Sequence, residues 1–133
     1  MYQLTQADMI WNRACGKDPV RSFPGDRALT DMLSAHGLIM NGGVLHAIEC
    51  LTASEMCDAE AGYGFYGFDA VPPLLFRARA LFDAGIDLSE HEQKLDAQYG
   101  ELIPSDAALA ERFEERLKLT PSEFASLRIS DIA

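Results

Sequence analysis

The sequence has few basic residues and no long apolar run. Lys and Arg number 11 against 21 Asp and Glu, which gives a formal net charge of −10. Direct binding of nucleic acid is therefore disfavoured, because phosphates must be neutralised by cationic side chains. No stretch approaches the roughly 18 consecutive apolar residues that a transmembrane helix needs, so we predict no membrane span and no membrane partner.

Cysteines are also few. Cys15, Cys50 and Cys57 are odd in number, and two of them fall in apolar helical surroundings. This pattern favours free thiols in a reducing compartment over a disulfide framework. The first residues carry neither a basic n-region nor an apolar h-region, so no signal peptide is expected. Together these features predict a cytoplasmic protein.

Motifs for metal binding and catalysis are scarce. His46, Cys50 and Cys57 could face one way on a helix, but there is no Cys-x-x-Cys pair and no evident fourth ligand. A nucleophilic pair could join Cys50 or Cys57 to His36, His46 or His91, but no nucleophile motif supports it. We predict no catalytic residue, no metal and no cofactor. His46 is interpreted as a core histidine beside small apolar thiols.

The composition is that of a folded globular domain, since 48 % of the 133 residues are hydrophobic. A chain of this length is expected to form one domain, over residues 1–133, and to bury a core without disulfides. Helical periodicity recurs along the chain, and no partner strands are evident. The predicted fold class is therefore all-α: a compact multi-helix domain around one buried central helix.

The predicted central helix spans about residues 43–51 and follows an Asn-Gly-Gly segment. Its apolar residues recur at i, i+3, i+4 and i+7, namely Val44, Ala47, Ile48 and Leu51. Asn-Gly between apolar runs is also typical of a β-hairpin, but the flanking helical patterns favour a helix, a corner and a second helix. In this interpretation the glycines close the first helix and Asn41 caps the second.

The other helices are predicted from caps and apolar stripes. They cover residues 5–13, 26–36, 55–61, 90–99 and 107–119, with another helix after Asp69 and a short one after Thr120. The expected N-caps are Thr5, Ser54, Asp69 and Thr120, the last in a capping box with Glu123. Pro72 and Pro73 fit the first turn of the helix after Asp69, where a missing backbone donor costs least.

In the segment 62–68, glycine alternates with aromatic residues. Gly costs a helix roughly 1 kcal/mol relative to Ala, so this segment is predicted as a loop pinned into the core by its rings. Two alternatives stay open. A ligand pocket could lie below the loop with His46 or Cys50 inside it, and a homodimer could cover the rings together with Leu38 and Ile39.

Most of the negative charge lies in the C-terminal part of the chain, where the helices from about residue 87 are acidic. Residues 83–133 contain twelve acids and five bases, against nine acids and six bases before them. Nine carboxylates are predicted to form a partner-binding acidic face: Asp87, Glu90, Glu92, Asp96, Glu101, Asp106, Glu111, Glu114 and Glu115. Such a face suits a basic protein partner, although solubility is the simpler explanation.

The Asn-Gly-Gly segment also carries a resemblance. A helix ending in apolar-Asn41-Gly42-Gly43-apolar, then a second helix and an Ala-rich amphipathic helix, resembles the bacterial DNA-mimic-like family, a domain family of unknown function. Residues 44–46 (Val-Leu-His) stand where that family has an aromatic residue and a Gln-aromatic pair. The acidic stretch from residue 89 is similar to the family's C-terminal portion, and the resemblance covers roughly residues 29–124.

The resemblance implies an all-α cytoplasmic domain without a known catalytic centre. One family member is similar to a DNA mimic, an acidic dimer that presents carboxylates to a basic DNA-binding protein. The expected function is therefore that of a small acidic protein-interaction domain, a DNA-mimic-like regulator. A small-ligand protein or enzyme and a toxin-neutralising, immunity-type protein are the alternatives. Asn41, Gly42 and Gly43 are the positions that match the family, and they are interpreted as structural.

Overall fold

The computed structural model describes residues 3–132, which form eight α-helices and no strand. The helices are α1 (Gln6–Ala14), α2 (Pro24–Gly42), α3 (Val44–Cys50), α4 (Ala53–Phe65), α5 (Val71–Asp83), α6 (Glu92–Leu102), α7 (Asp106–Leu119) and α8 (Ile129–Ile132). A 3₁₀ turn at Pro121–Glu123 lies between α7 and α8. The predicted all-α fold is confirmed. Across residues 3–132, no helix is both long enough and apolar enough to span a bilayer.

The helix at the centre of the fold is α2, and not the predicted helix over residues 43–51. α2 packs against α1, α3, α4 and the 3₁₀ turn. It extends past its predicted end near Gly37, where an added Cβ would meet nothing within 4 Å. The extra turn buries Ile39, and this packing offsets the helix cost of Gly37.

α2 and α3 meet at Gly43, which is the predicted glycine corner. Gly43 has φ 94° and ψ 173°, a conformation that residues with a Cβ rarely adopt. The predicted capping role of Asn41 is wrong, because Asn41 lies inside the last turn of α2. The cap comes from a distant element instead: the Val44 N–H donates to Asp96 Oδ1 of α6 at 2.8 Å.

α4 is longer than predicted at both ends. Thr52 forms a capping box with Glu55, so the predicted Ser54 cap is wrong. The helix continues through Gly62 to Phe65, where a loop is predicted. Gly62 faces α2, and a Cβ there would lie 2.6 Å from the Ala28 carbonyl oxygen. The glycine therefore allows two helices to approach closely, and this packing overrides its low helix propensity.

The rings of the segment 62–68 fill the core, as predicted. Tyr63 and Tyr66 are buried, while Phe65 and Phe68 are half-buried and pack against the core. Leu38 also packs against the core, and Ile39 belongs to it. Of the residues proposed for a homodimer surface, Ile39, Tyr63 and Tyr66 are thus buried within one chain, whereas Leu38, Phe65 and Phe68 remain partly exposed.

After residue 70, the predicted apolar stripes agree with the structure better than the predicted capping contacts do. Pro72 and Pro73 occupy the first turn of α5 as predicted, but its N-cap is Ala70 and not Asp69. The predicted apolar stripe of α7 is confirmed, with Leu109, Phe113 and Leu117 buried. The last predicted helix is a 3₁₀ turn. Its capping box is wrong: the Thr120 hydroxyl donates to the Arg116 carbonyl oxygen and Glu123 pairs with Arg116.

A buried ion pair holds the C-terminal segment to α1 and α2. Arg13 of α1 donates to Asp26 of α2 at 2.7 Å and to the Ala125 and Ser126 carbonyl oxygens at 3.1 Å. Asp26 in turn accepts from the Ala125 N–H at 2.8 Å. Arg13 also reaches Asp131 of α8 at 3.3 Å. The buried charges of Arg13 and Asp26 thus compensate each other inside the protein, as buried charges must.

Candidate functional site

Two of the nine predicted acidic residues bond residues of distant helices. Asp96 caps α3 through the Val44 N–H, and a Cβ on Gly43 would come within 2.9 Å of its Oδ2 atom. Asp106 opens α7, and its Oδ1 lies 2.7 Å from His36 Nε2. The Asp106 side chain is nevertheless 78 % exposed, so the buried His36 is hydrogen-bonded to a carboxylate that lies at the protein surface.

Asp87 belongs to a local turn before α6. Its carboxylate accepts a hydrogen bond from the Ser89 N–H at 3.0 Å. This bond lowers the pKa of Asp87 below its ordinary value, and the nearby His91 adds a smaller effect of the same sign. Asp87 is therefore ionised at neutral pH and lies at the surface.

The other six predicted residues are glutamates, and all of them are exposed: Glu90, Glu92, Glu101, Glu111, Glu114 and Glu115. Three of them lie on α7, opposite its buried stripe by helical periodicity. We refer to Glu111, Glu114 and Glu115 as the α7 acidic face. Lys118 follows one turn later and ends the run of like charge.

Five of the eight arginines pair with other carboxylates. Within residues 3–132 the Arg–carboxylate ion pairs are Arg13–Asp26, Arg13–Asp131, Arg21–Asp31, Arg79–Asp83, Arg116–Glu123 and Arg128–Asp131. None of these pairs includes Asp87 or the six exposed glutamates. Arg116 illustrates the allocation: it lies on α7 among the glutamates, yet it bonds Glu123 at 3.0 Å and lowers the pKa of that carboxyl.

Four side chains form a series of hydrogen bonds, the polar chain, that the sequence does not predict. It begins at Asp106 on the surface and leads into the core. His36 is bonded to Asp106 through Nε2, and its Nδ1 lies 2.7 Å from the Tyr99 hydroxyl. The Tyr99 hydroxyl lies 2.6 Å from that of Tyr63. His36, Tyr99 and Tyr63 are all buried, and burial is the main cause that raises the pKa of both tyrosines, which stay neutral. The chain links α7, α2, α6 and α4.

The His and Cys residues proposed for a pocket lie elsewhere. The buried histidine is His36, and His46 is only half-buried, so its interpretation as the core histidine is wrong. Cys50 Sγ lies 3.7 Å from His46 Nδ1 in an exposed position. All three cysteines are exposed free thiols, which corrects the predicted apolar surroundings. In the part of the chain that the structure describes, no three His, Cys, Asp or Glu side chains could together hold a metal ion.

A cavity of about 200 Å³ does lie beside the end of α4. Phe65, Gly67, Arg112 and Arg116 are among its lining residues, but His46 and Cys50 are not. Arg116 stacks over Phe65 with its guanidinium carbon 4.0 Å from the ring centroid, and it also donates to the Phe65 carbonyl oxygen. Arg116 is thus bound to the protein itself, and this cavity lacks the two residues, His46 and Cys50, that the pocket hypothesis names.

Comparison of the chain with protein-family models, with curated proteins and with solved structures found no match.

Proposed function

We propose that this chain is a small acidic interaction domain that binds a basic protein partner through the α7 acidic face. The proposal rests on one observation: in the described part of the chain, some carboxylates of the protein are paired with arginine, and those of the α7 acidic face are not. Five arginines pair with other carboxylates, among them Arg116 of α7 itself, while Glu111, Glu114 and Glu115 stand exposed on one helix with no ion-pair partner in residues 3–132. Lys118 lies on the same side of α7 and offsets part of this charge, but the three glutamates keep the face net negative, which suits a cationic partner.

The spacing of these carboxylates supports electrostatic recognition. Glu111 and Glu115 are four residues apart on α7, which places them on neighbouring turns about 6 Å apart along the helix axis. Like charges at this spacing oppose helix formation. A cationic partner would relieve that repulsion, and added salt would weaken the attraction by screening it. The acidic face is therefore better satisfied in a complex than in the free protein.

DNA mimicry is the finer form of the proposal. Phosphates of one DNA strand rise by about 3.4 Å per step but are farther apart through space, so the separation of about 6 Å between Glu111 and Glu115 is of the same order as that between neighbouring phosphates. The Asn41-Gly42-Gly43 resemblance to the DNA-mimic-like family supports the same function, and these residues serve the α2–α3 corner. In this form the partner is a DNA-binding protein, and the domain competes with DNA for its basic surface.

The test uses tagged protein and an extract of the source cells, washed first at low and then at high salt. A charge-neutralised variant, Glu111→Gln/Glu114→Gln/Glu115→Gln, is compared with the wild type. The matched control, Glu49→Gln/Asp58→Asn/Asp69→Asn, changes three exposed carboxylates outside α7. Any captured protein is then purified, and its affinity is measured for all three proteins between 50 and 200 mM salt.

We expect one basic protein to be released by salt, to bind the control like the wild type and to bind the α7 variant at least roughly tenfold more weakly. If duplex DNA competes with the domain for the partner, mimicry is supported. If the basic partner does not bind DNA, a neutralising or adaptor role is supported. Equal binding by the α7 variant, or binding insensitive to salt, would overturn the proposal.

A further inference from the structure

A groove between α5 and α6 is separate from the acidic face. It consists of two adjoining cavities of about 330 and 240 Å³ that share Arg77 and Gln98 in their walls. The larger one is lined by Arg77, Leu81, His91, Lys94, Leu95 and Gln98. Its volume is at the lower end of the range for small-molecule sites, about 300 to 1,000 Å³.

Each polar side chain of the larger cavity can donate a hydrogen bond. Arg77 Nη2 donates to Gln98 Oε1 at 2.7 Å, across the groove from α5 to α6. Because a guanidinium has no acceptor, this contact fixes the amide orientation and leaves the Gln98 NH₂ free to donate. Lys94 and His91 lie on the same side of α6 as Gln98, spaced at about one helical turn.

The charge of this cavity is not neutralised within the chain. Among residues 3–132, neither Arg77 nor Lys94 forms an ion pair with a carboxylate. On a molecule with a net charge of −10, the cavity therefore gathers cationic donors around an apolar base formed by Leu81 and Leu95. Acidic groups near the groove include Asp87, which interacts with His91, Glu101 in the wall of the smaller cavity, and Glu90 and Glu92, which flank His91 in sequence.

The two cavities differ in a way that orients a ligand. The smaller cavity adds Pro73, Leu74 and Leu102, and its Glu101 offsets the charge of the shared Arg77, so it suits an apolar group better than an anionic one. The larger cavity has the opposite preference for charge. From Leu95 to Leu102 the groove follows α6 for roughly 10 Å, which a chain of about eight carbons spans.

We propose that the α5–α6 groove binds a small organic carboxylate with an apolar body. The carboxylate receives hydrogen bonds from Arg77, Lys94 and the Gln98 amide, and the apolar body runs toward Leu74 and Leu102. Charge-assisted hydrogen bonds supply the specificity for an anion, and burial of the body supplies the remaining affinity. The proposal stands independently of the acidic face.

The test titrates the full chain with sodium octanoate, followed by calorimetry and by amide chemical shifts. Octanol keeps the apolar body without the charge, octylamine reverses the charge, and acetate keeps the head without the body. The variant Arg77→Met/Lys94→Met removes both charges but keeps the apolar stems. The matched control Arg27→Met/Lys118→Met removes two exposed cations that do not line the groove.

We expect saturable octanoate binding, with shifts confined to α5, α6 and the segment between them. The groove variant should bind at least about tenfold more weakly, as the loss of charge-assisted hydrogen bonds predicts, and the control within about twofold of wild type. Octanol, octylamine and acetate should each bind more weakly than octanoate. Gln98→Glu, which adds a negative charge without removing a stem, should weaken octanoate binding as well.

Three results would each overturn the proposal. The first is no saturable binding up to the solubility limit of octanoate. The second is equal affinity for octanol and octanoate, which would mean an apolar site without anion recognition. The third is unchanged affinity in both the groove variant and Gln98→Glu, since the carboxylate would then lie elsewhere.

Discussion

The hydroxyl protons of Tyr63 and Tyr99 have one consistent arrangement while His36 is neutral. His36 Nε2 donates to the Asp106 carboxylate, so His36 Nδ1 accepts from the Tyr99 hydroxyl. The Tyr99 oxygen then accepts from the Tyr63 hydroxyl. Every donor in the chain has an acceptor, which is the condition for burying three polar side chains at little cost.

This arrangement predicts unequal costs for removing the two hydroxyls. Tyr63→Phe removes the terminal donor and leaves the Tyr99–His36 bond intact, so we expect a loss of about 1 kcal/mol in unfolding free energy. Tyr99→Phe leaves both the Tyr63 hydroxyl and His36 Nδ1 without a partner, and we expect a loss of about 2 to 4 kcal/mol. Urea unfolding measures both. Equal costs would show that the hydroxyls do not form one directed chain.

Asp131 makes the C-terminal segment sensitive to acid. Hydrogen bonds from Arg128 are the main cause that holds the pKa of Asp131 at about 2, below its ordinary 3.8, and Arg13 adds to them. A lowered folded-state pKa means that the carboxylate stabilises the fold above pH 3.8, and that this contribution is lost as pH falls toward 2.

We therefore expect Asp131→Asn to melt at a lower temperature than the wild type near neutral pH. The difference should shrink below about pH 4 and disappear only below about pH 2. Thermal unfolding followed by circular dichroism across this pH range is the measurement. Glu49→Gln serves as the control, because Glu49 is exposed and has no ion pair in the described part of the chain. A constant difference at all pH values would contradict the assigned contacts.

At the scale of the helix, the two glycines inside α4 should respond oppositely to alanine. A Cβ on Gly62 would lie 2.6 Å from the Ala28 carbonyl oxygen and 3.1 Å from the Met32 nitrogen, both backbone atoms of α2. Backbone of a packed helix cannot give way like a flexible side chain, so we expect Gly62→Ala to destabilise by about 1 to 3 kcal/mol. Gly64 has nothing within 4 Å.

Gly64→Ala is accordingly the matched control, and its higher helix propensity should stabilise the protein by up to about 1 kcal/mol. Chemical denaturation measures the change in unfolding free energy for Gly62→Ala and for Gly64→Ala. If both alanines stabilise, the close approach of α2 and α4 is absent from the protein in solution. If both destabilise, the helix does not extend through residue 64.

The elements that sequence analysis predicts well are those whose signals are local. The Thr5 cap of α1, the proline pair in α5 and the α7 stripe each depend on residues within one or two turns. α4 is mispredicted because the packing partner of Gly62 lies in another helix. The polar chain could not be predicted for the same reason, since His36 and Tyr99 are 63 residues apart in sequence.

For the candidate site, the sequence shows which residues are acidic but not which of them form hydrogen bonds within the fold. Asp96 and Asp106 belong to the predicted face by composition, yet they bond Val44 and His36 of distant helices. The cationic groove escapes prediction because Arg77 and Lys94 come together only when α5 packs against α6. Net charge describes the chain, whereas a binding surface depends on how the fold distributes that charge.

At the scale of the whole molecule, a net charge of −10 implies repulsion that folding must overcome. Salt screens this repulsion, so raising NaCl from about 20 to about 300 mM should raise the melting temperature of the wild type. The Glu111→Gln/Glu114→Gln/Glu115→Gln variant should melt higher than the wild type at low salt and respond less to salt, because like charges on neighbouring turns are removed.

The Glu49→Gln/Asp58→Asn/Asp69→Asn control removes the same net charge without relieving crowding on α7, so it should stabilise less. Scanning calorimetry of the three proteins at both salt concentrations makes the comparison. A destabilised α7 variant would mean that the glutamates support the fold, and their exposure would then need no partner to explain it. A stabilised one means that the free protein tolerates a repulsion which a cationic partner would remove, and this is the physical condition for an acidic binding face.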